Sequence, residues 1–402
     1  MRLLFWFVLS LNLFAQDYYI KSLRVYGSTS EISFPIVEFA EDGNTKIVID
    51  FDVEGNIQPN LNIRFFFCNS LWEPYNSPFL SSAPYNIDYN LWLERVPRPA
   101  SGADYHFNKS YPNKDIKFPF SGNWMFQIYD AVQPNEILGE GKFYVVRNEI
   151  ELFTDIREGR IEGRNVTQAS LGRIIDISAS FILSENMFGN ELGKVVLIEN
   201  KKISSLTEIY KDQLSEGDFY EWNGDRKFKF FFKSIQPGNE YRQVNLNDIT
   251  WYNPPETKAH YDGADLSRFF NFGNNDFNGG SKIQNYKNDY AEYMDVKFEL
   301  KPASYNVDKN IYLVGSFTDW EILEEFKMYE ERSGLYSLFV NLKRGIYDYQ
   351  YVTAFDEGEE ADWLELEGNF WETSSDYHVF VYYNSTDLGG YEKIIGYKLI
   401  QK

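Results

Sequence analysis

The chain has 402 residues, a formal net charge of −21 and an aromatic content of 18%. That length predicts two or three domains, and the abundance of Tyr and Phe favours β-strands. The negative charge disfavours nucleic acid as a partner, because Lys and Arg supply most of the affinity for phosphates, and it also disfavours adsorption to anionic lipid.

Residues 1–16 have the pattern of a cleaved secretory signal peptide. A short positive start, Met1-Arg2, precedes the mostly apolar run Leu3–Phe14, and Ala15-Gln16 supplies the cleavage point. No later stretch reaches the roughly 18 apolar residues of a spanning helix. Cys68 is the only cysteine, so no internal disulfide forms, and we expect this residue to be buried. The mature chain is expected to be exported and not inserted into the membrane.

We expect the first domain at residues 17–148. Apolar alternation predicts strands at Ile47–Val53, Leu61–Phe67, Ile116–Phe120, Trp124–Tyr129 and Lys142–Val146. Between them, Leu71–Ser110 contains five prolines and is predicted to be irregular. So long a segment is either functional or a structural lid over the sheet.

A middle domain is expected at residues 149–292 and a C-terminal domain at residues 293–402. Further strands are predicted at Asp176–Leu183, Lys194–Glu199, Lys227–Lys233, Ile311–Gly315, Tyr336–Leu342, Tyr347–Tyr351, Val379–Tyr383 and Ile394–Leu399. The predicted fold is all-β, with three consecutive immunoglobulin-like antiparallel β-sandwich domains after the signal peptide.

Catalytic and metal-binding patterns are not found in the sequence. The three histidines, His106, His260 and His378, lie far apart, without the short spacings of a metal site. Asn274–Gly279 resembles the first half of a calcium loop, but Asn285 stands where the closing Glu is required. We therefore predict a non-enzymatic protein with no cofactor and no bound metal.

The stretch Ile311–Val352 resembles the glycogen-binding type of carbohydrate module. The resemblance rests on Tyr312–Trp320 and Gly345–Val352. It implies an early-set β-sandwich in which Trp320 stacks on a glucan, with Trp363 as a second aromatic contact. Gln350 stands where the family places an assisting Lys, so Trp320 and Trp363 are possible carbohydrate or protein contacts.

Nearly the whole mature chain is similar to the plug protein family of the type IX secretion system, found in the Bacteroidetes and relatives. The resemblance is carried by short blocks of sequence: Phe67–Asn69, Leu71–Pro74, Tyr105–Phe107, Tyr111–Asn113, Ser121–Trp124, Gly238–Arg242, Glu367–Thr373, Val381–Tyr383 and Ile395-Gly396. It implies a periplasmic protein that docks on a large outer-membrane β-barrel channel and seals its inner opening. An exported carbohydrate-binding protein that uses the C-terminal module is the alternative.

Overall fold

The structure, a computed structural model, describes residues 18–40, 43–81, 85–160, 173–213, 219–268, 276–303, 305, 308–356 and 361–402. Within these ranges the regular structure is β-strand, apart from three short 3-10 helices at Gly189–Glu191, Glu324–Phe326 and Asp387–Gly389. The all-β fold class is confirmed. The expected signal peptide lies outside the described residues.

Nine strands form a first unit from two sheets. They are β1 (Tyr18–Gly27), β2 (Ile36–Glu38), β3 (Ile47–Gly55), β4 (Leu61–Cys68), β5 (Ile87–Asp88), β6 (Glu94–Arg95), β7 (Tyr105–Tyr111), β8 (Gly122–Asp130) and β9 (Ile137–Val146). The sheet orders are β1-β3-β7-β6 and β2-β9-β8-β4-β5, with antiparallel pairing except between β2 and β9. Alternate residues of β8, Trp124, Phe126 and Ile128, point inward and pack with Phe51 and Phe65 between the sheets.

The second unit begins with six strands. They are β10 (Leu152–Arg160), β11 (Arg173–Ile182), β12 (Leu192–Glu199), β13 (Thr207–Tyr210), β14 (Phe219–Trp222) and β15 (Lys227–Ile235). One sheet has the order β10-β11-β15-β14, and its inner face buries Phe181, Phe228 and Phe230. The strands β12 and β13 lie in the opposite sheet.

The third unit contains nine strands in two sheets. They are β16 (Arg242–Asn245), β17 (Glu256–Lys258), β18 (Asp265–Leu266), β19 (Ser281–Ile283), β20 (Tyr293–Lys301), β21 (Asn310–Gly315), β22 (Tyr329–Arg332), β23 (Leu335–Lys343) and β24 (Gly345–Ala354). In one sheet β24 pairs with β16, β19 and β21; the other has the order β17-β20-β23-β22, with β18 also on β20. Both β17 and β18 run parallel to β20.

The last two strands, β25 (Asp376–Ser385) and β26 (Tyr391–Gln401), return to the second unit. There they complete a sheet of order β13-β12-β25-β26, in which Val195 pairs with Val381. The expected division at residues 292 and 293 is therefore corrected, because the third unit is inserted into the second between β15 and β25. Strand periodicity reports which face of a strand is buried, but not which distant strand lies beside it.

Most predicted strands are confirmed, but two predictions for the first unit are wrong. Residues 116–120 form no strand, although Ile116 and Phe118 are buried. Pro119 lacks the N–H that a strand ladder needs, and the segment enters the core as extended chain instead. The segment Leu71–Ser110 is also more regular than predicted, since it contains β5, β6 and most of β7.

Candidate functional site

Trp320 lies inside the protein rather than on a sugar-accessible surface. Only 2% of the residue is exposed, and its indole N–H donates a hydrogen bond of 2.9 Å to the carbonyl oxygen of Gly279. Its ring centroid is 4.3 Å from that of Tyr241. Because the side chain is buried against Tyr241 and its N–H is satisfied, the geometry favours a packing role for this side chain.

Trp363 and Gln350, the other two positions of the resemblance to glycogen-binding modules, contact each other. Gln350 donates from its side-chain amide to the carbonyl oxygen of Trp363 at 2.6 Å, and Trp363 packs against the same cluster as Trp320. A cleft of about 680 Å³ opens here, but the ammonium of Lys202 stands 4.6 Å above the Trp363 ring. Since Lys202 belongs to the second unit, that unit covers the aromatic face on which a sugar would stack.

The three tyrosines of β24 are equally inaccessible. Tyr347, Tyr349 and Tyr351 share one face of the strand, as the alternation predicts, and all are at most 3% exposed. They form part of the core between the two sheets of the third unit. This face stabilises the sandwich and offers no surface to a ligand.

Several sequence blocks that carry the plug-family resemblance meet where the first and second units pack. The Tyr382 hydroxyl donates to Asn123 Oδ1 at 2.6 Å, and the Ser121 hydroxyl donates to the carbonyl oxygen of Ile394 at 2.5 Å. Around them, Tyr144 of β9 stacks on Phe380 of β25 at 4.6 Å. These contacts fix the first two sandwiches against each other.

Two further blocks meet between the second and third units. Gly238 N–H donates to Asn369 Oδ1 at 2.9 Å, and the fully buried Glu367 accepts from Arg242 at 2.9 Å and from Arg268 at 2.8 Å. Burial acts to raise the pKa of Glu367, but the two guanidinium groups outweigh it and hold the pKa below its usual value. The chain segments that enter and leave the inserted unit are thus joined by buried charge-assisted hydrogen bonds.

The first and third units share a buried charged cluster centred on Asp52. Its carboxylate accepts from Lys343 Nζ at 2.6 Å and from the Tyr293 hydroxyl at 2.8 Å, and it lies 2.8 Å from His106 Nδ1. This cluster could not be predicted, because Asp52 and Lys343 are far apart in the chain. Together with the other two contact regions, it joins the three sandwiches into one body.

The most exposed aromatic surface lies on the segment after β4. Trp92 is 82% exposed, although both neighbours, Leu91 and Leu93, are buried in the first core. The backbone here is anchored, since Leu91 N–H donates to the carbonyl oxygen of Leu61 at 2.8 Å. The segment therefore covers the sheet with its buried residues and also exposes apolar side chains on the surface. We call the following set the aromatic surface: Leu71, Phe79, Tyr85, Tyr89 and Trp92, all exposed.

The three histidines make separate contacts. His106 contacts Asp52, His260 lies 2.7 Å from the Tyr349 hydroxyl, and His378 stacks on Phe34 at 3.8 Å. Within the described ranges, no three His, Cys, Asp or Glu side chains are grouped so as to hold a metal ion. Cys68 is buried as expected, and burial raises the pKa of its thiol to about 12.

The loop with the partial calcium pattern is described only from Asp276 onward, and residues 274 and 275 lie outside the described ranges. Asp276 accepts hydrogen bonds from the backbone N–H groups of Asn278 and Tyr241, so its oxygens cap the local backbone. Among the described residues, no helix has the length and apolar character needed to cross a membrane.

Comparison with known proteins identifies the first unit. Residues 20–147 match the family model described as the type 9 secretion system plug protein 1st domain. No curated protein matches the chain. A crystal structure of a hypothetical protein from Parabacteroides merdae superposes with a TM-score of 0.76 at 21% identity, covering 95% of this chain and 97% of that one.

The last comparison covers nearly the whole length of both chains, so the complete three-unit fold occurs in a second protein. A DNA-bound alkylpurine DNA glycosylase from Pseudomonas fluorescens covers 32% of this chain and 30% of its own at 14% identity, but its TM-score of 0.20 carries no argument. The likeness of Ile311–Val352 to glycogen-binding modules stays a prediction. Residues 20–147 are similar to the first domain of the plug protein of the type 9 secretion system, and this domain supports a plug role in type 9 secretion.

Proposed function

We propose that the protein docks from the periplasm on the large outer-membrane channel of the type 9 secretion system and closes its inner opening. The observation that carries the proposal is the match of residues 20–147 to the first domain of the plug protein. The family has a structural role in secretion, and on this proposal the chain is not an enzyme.

The joined sandwiches support this role physically. A body that closes a wide opening has to resist deformation, and the three units are connected by buried contacts rather than by free linkers. Because few groups become ordered on binding, little conformational entropy opposes docking.

We further propose that the aromatic surface contributes to docking. Exposed aromatic side chains on an anchored backbone are typical of residues that dominate a protein interface. Trp92 fits this description best, since its backbone is held by the core while its side chain extends outward.

The experiment is purification of the tagged protein from detergent-solubilised envelopes. We expect one very large β-barrel protein to co-purify, and Trp92→Ala to reduce its recovery at least tenfold. Trp251→Ala is the matched control, since Trp251 is 61% exposed on a different unit. Deletion of the gene should let large dyes enter the envelope while secretion continues in part. Recovery of the protein alone, with an unaltered permeability barrier, would contradict the proposal.

The carbohydrate-binding alternative receives no support from the arrangement of Trp320, Trp363 and Gln350. Titration with soluble α-glucans should give no saturable change in tryptophan fluorescence. A micromolar affinity that disappears in Trp320→Ala would reverse this preference.

A further inference from the structure

All three units meet around a cleft of about 130 Å³. The first unit contributes Arg24 and Lys142, the second Lys201, and the third Asp319 and Glu321. Three of these five charges are already satisfied by direct partners. Arg24 contacts Glu31 at 2.8 Å, and Glu321 accepts from Lys142 at 2.9 Å.

Lys201 and Asp319 are the two of these five groups that remain. The cleft is also lined by Glu31, which pairs with Arg24, and by Glu140, which accepts a hydrogen bond from Gln127 at 3.3 Å. Among the described residues, neither the Lys201 nor the Asp319 side chain has a hydrogen bond or an ion pair within 4.0 Å. Burial, with a smaller contribution from the nearby Arg24, lowers the pKa of Lys201 to about 8. Burial likewise raises the pKa of Asp319 to about 6. An ammonium and a carboxylate thus line one cleft without neutralising each other at close range.

The backbone at Asp319 also has the character of a ligand site. Asp319 and Trp320 adopt consecutive positive φ angles of 49° and 61°, a conformation that side-chain-bearing residues seldom adopt. Backbone strain of this kind concentrates at binding sites, where the surrounding structure enforces it. The remaining wall is partly apolar, with Val25, Met125 and Ile203.

The two unpaired groups have opposite charges and line the same cleft. We propose that the cleft binds an α-amino acid unit with an apolar side chain. Its carboxylate binds Lys201, its α-nitrogen faces Asp319, and its side chain packs on the apolar wall.

Two sources supply this chemistry: a free amino acid and the C-terminal residue of a polypeptide. Both present a carboxylate and an N–H donor on one carbon atom. They differ at the nitrogen, which carries a charge in the free amino acid and is a neutral amide in the chain end. The inference does not depend on the plug role, because no residue that lines this cleft belongs to the aromatic surface.

Calorimetric titration of the full chain tests the proposal with leucine, N-acetyl-leucine and leucinamide. We expect saturable binding of at least one of the two carboxylates and none of leucinamide, which lacks the carboxylate. Tighter binding of leucine would identify the free amino acid, and tighter binding of N-acetyl-leucine the chain end.

Variants assign the binding to the cleft. Lys201→Met should weaken it at least tenfold and Lys201→Arg should largely retain it. Lys229→Met, on the exposed face of β15, is the control and should change nothing. Asp319→Asn should weaken the binding of leucine more than the binding of N-acetyl-leucine. Absence of binding by all three compounds at millimolar concentration would overturn the proposal, as would equal binding of leucinamide or unchanged binding by Lys201→Met with a native melting curve.

Discussion

Replacing Lys343 by Met tests whether the Asp52 cluster joins the first and third units. The side chains of Lys343 and Asp52 are 4% and 2% exposed, so the substitution leaves a carboxylate buried without its ammonium partner. Removing one member of a buried ion pair costs about 3 to 5 kcal/mol. His106 and Tyr293 still contact the carboxylate, so we expect the lower end, about 3 kcal/mol.

The resulting change in melting temperature depends on how much of the chain unfolds together. With an unfolding entropy of roughly 2 cal/mol/K per residue, about 3 kcal/mol lowers Tm by about 4 °C if all three units melt as one. The same loss lowers Tm by about 11 °C if one unit of typical size melts alone. Differential scanning calorimetry separates the two cases by the size of the shift and by the number of transitions.

Lys258→Met is the matched control. Lys258 also contacts a carboxylate, Glu299, at 2.9 Å in the third unit, but its side chain is 50% exposed. Exposed pairs contribute about 0 to 1 kcal/mol, so this variant should melt almost as the parent does. In a double-mutant cycle, Asp52→Asn combined with Lys343→Met should cost less than the sum of the single changes. Equal stability of Lys343→Met and Lys258→Met would refute the reasoning.

Three further predictions concern backbone contacts and buried titratable groups. Gly102→Ala should destabilise by about 1 to 3 kcal/mol more than Gly224→Ala in chemical denaturation. Both glycines have a positive φ, but a Cβ at Gly102 would lie 2.6 Å from Tyr293 Cβ, whereas one at Gly224 would meet nothing within 4 Å. Burial lowers the pKa of His378 to about 3, so its contribution to stability should be lost as the pH falls from about 6.5, and His378→Gln should reduce that loss. Burial and the nearby Asp348 raise the pKa of Asp276 to about 8, so the folded state holds a proton that the unfolded state releases. As the pH rises from 5 to 8, the free energy of unfolding of the parent should therefore decrease relative to that of Asp276→Asn, by at most about 1.4 kcal/mol per pH unit.

The local structure of the chain could be predicted because burial on one face of a strand imposes a period of two residues. Trp124, Phe126 and Ile128 point into the first core for this reason, and Tyr347, Tyr349 and Tyr351 into the third. The prediction failed at residues 116–120, where the same alternation buries Ile116 and Phe118 without a strand partner. Periodicity detects burial, and a ladder of backbone hydrogen bonds is a separate requirement.

Long-range pairing could not be predicted in the same way. β25 has the alternation of a strand whether it follows β24 in the third unit or pairs with β12 in the second. The burial of charged residues such as Asp52 could not be predicted either, since most charged side chains are solvated. Asp52 is buried because it pairs with Lys343, which is distant in the sequence. The exposure of Trp92 could not be predicted either, because an aromatic residue between two leucines is equally compatible with a buried and an exposed position.

Several of the sequence blocks that carry the plug-family resemblance lie at the contacts between units. Ser121–Trp124 contacts the chain around Tyr382 and Ile394, and Gly238–Arg242 contacts Glu367–Thr373. None of these contacts is needed to build a single sandwich, since each unit has its own core. They are needed to fix the angle between sandwiches, which decides whether three small domains present one broad surface or three independent ones. A protein whose task is to cover an opening depends on that angle, whereas a carbohydrate-binding module depends only on its own exposed face.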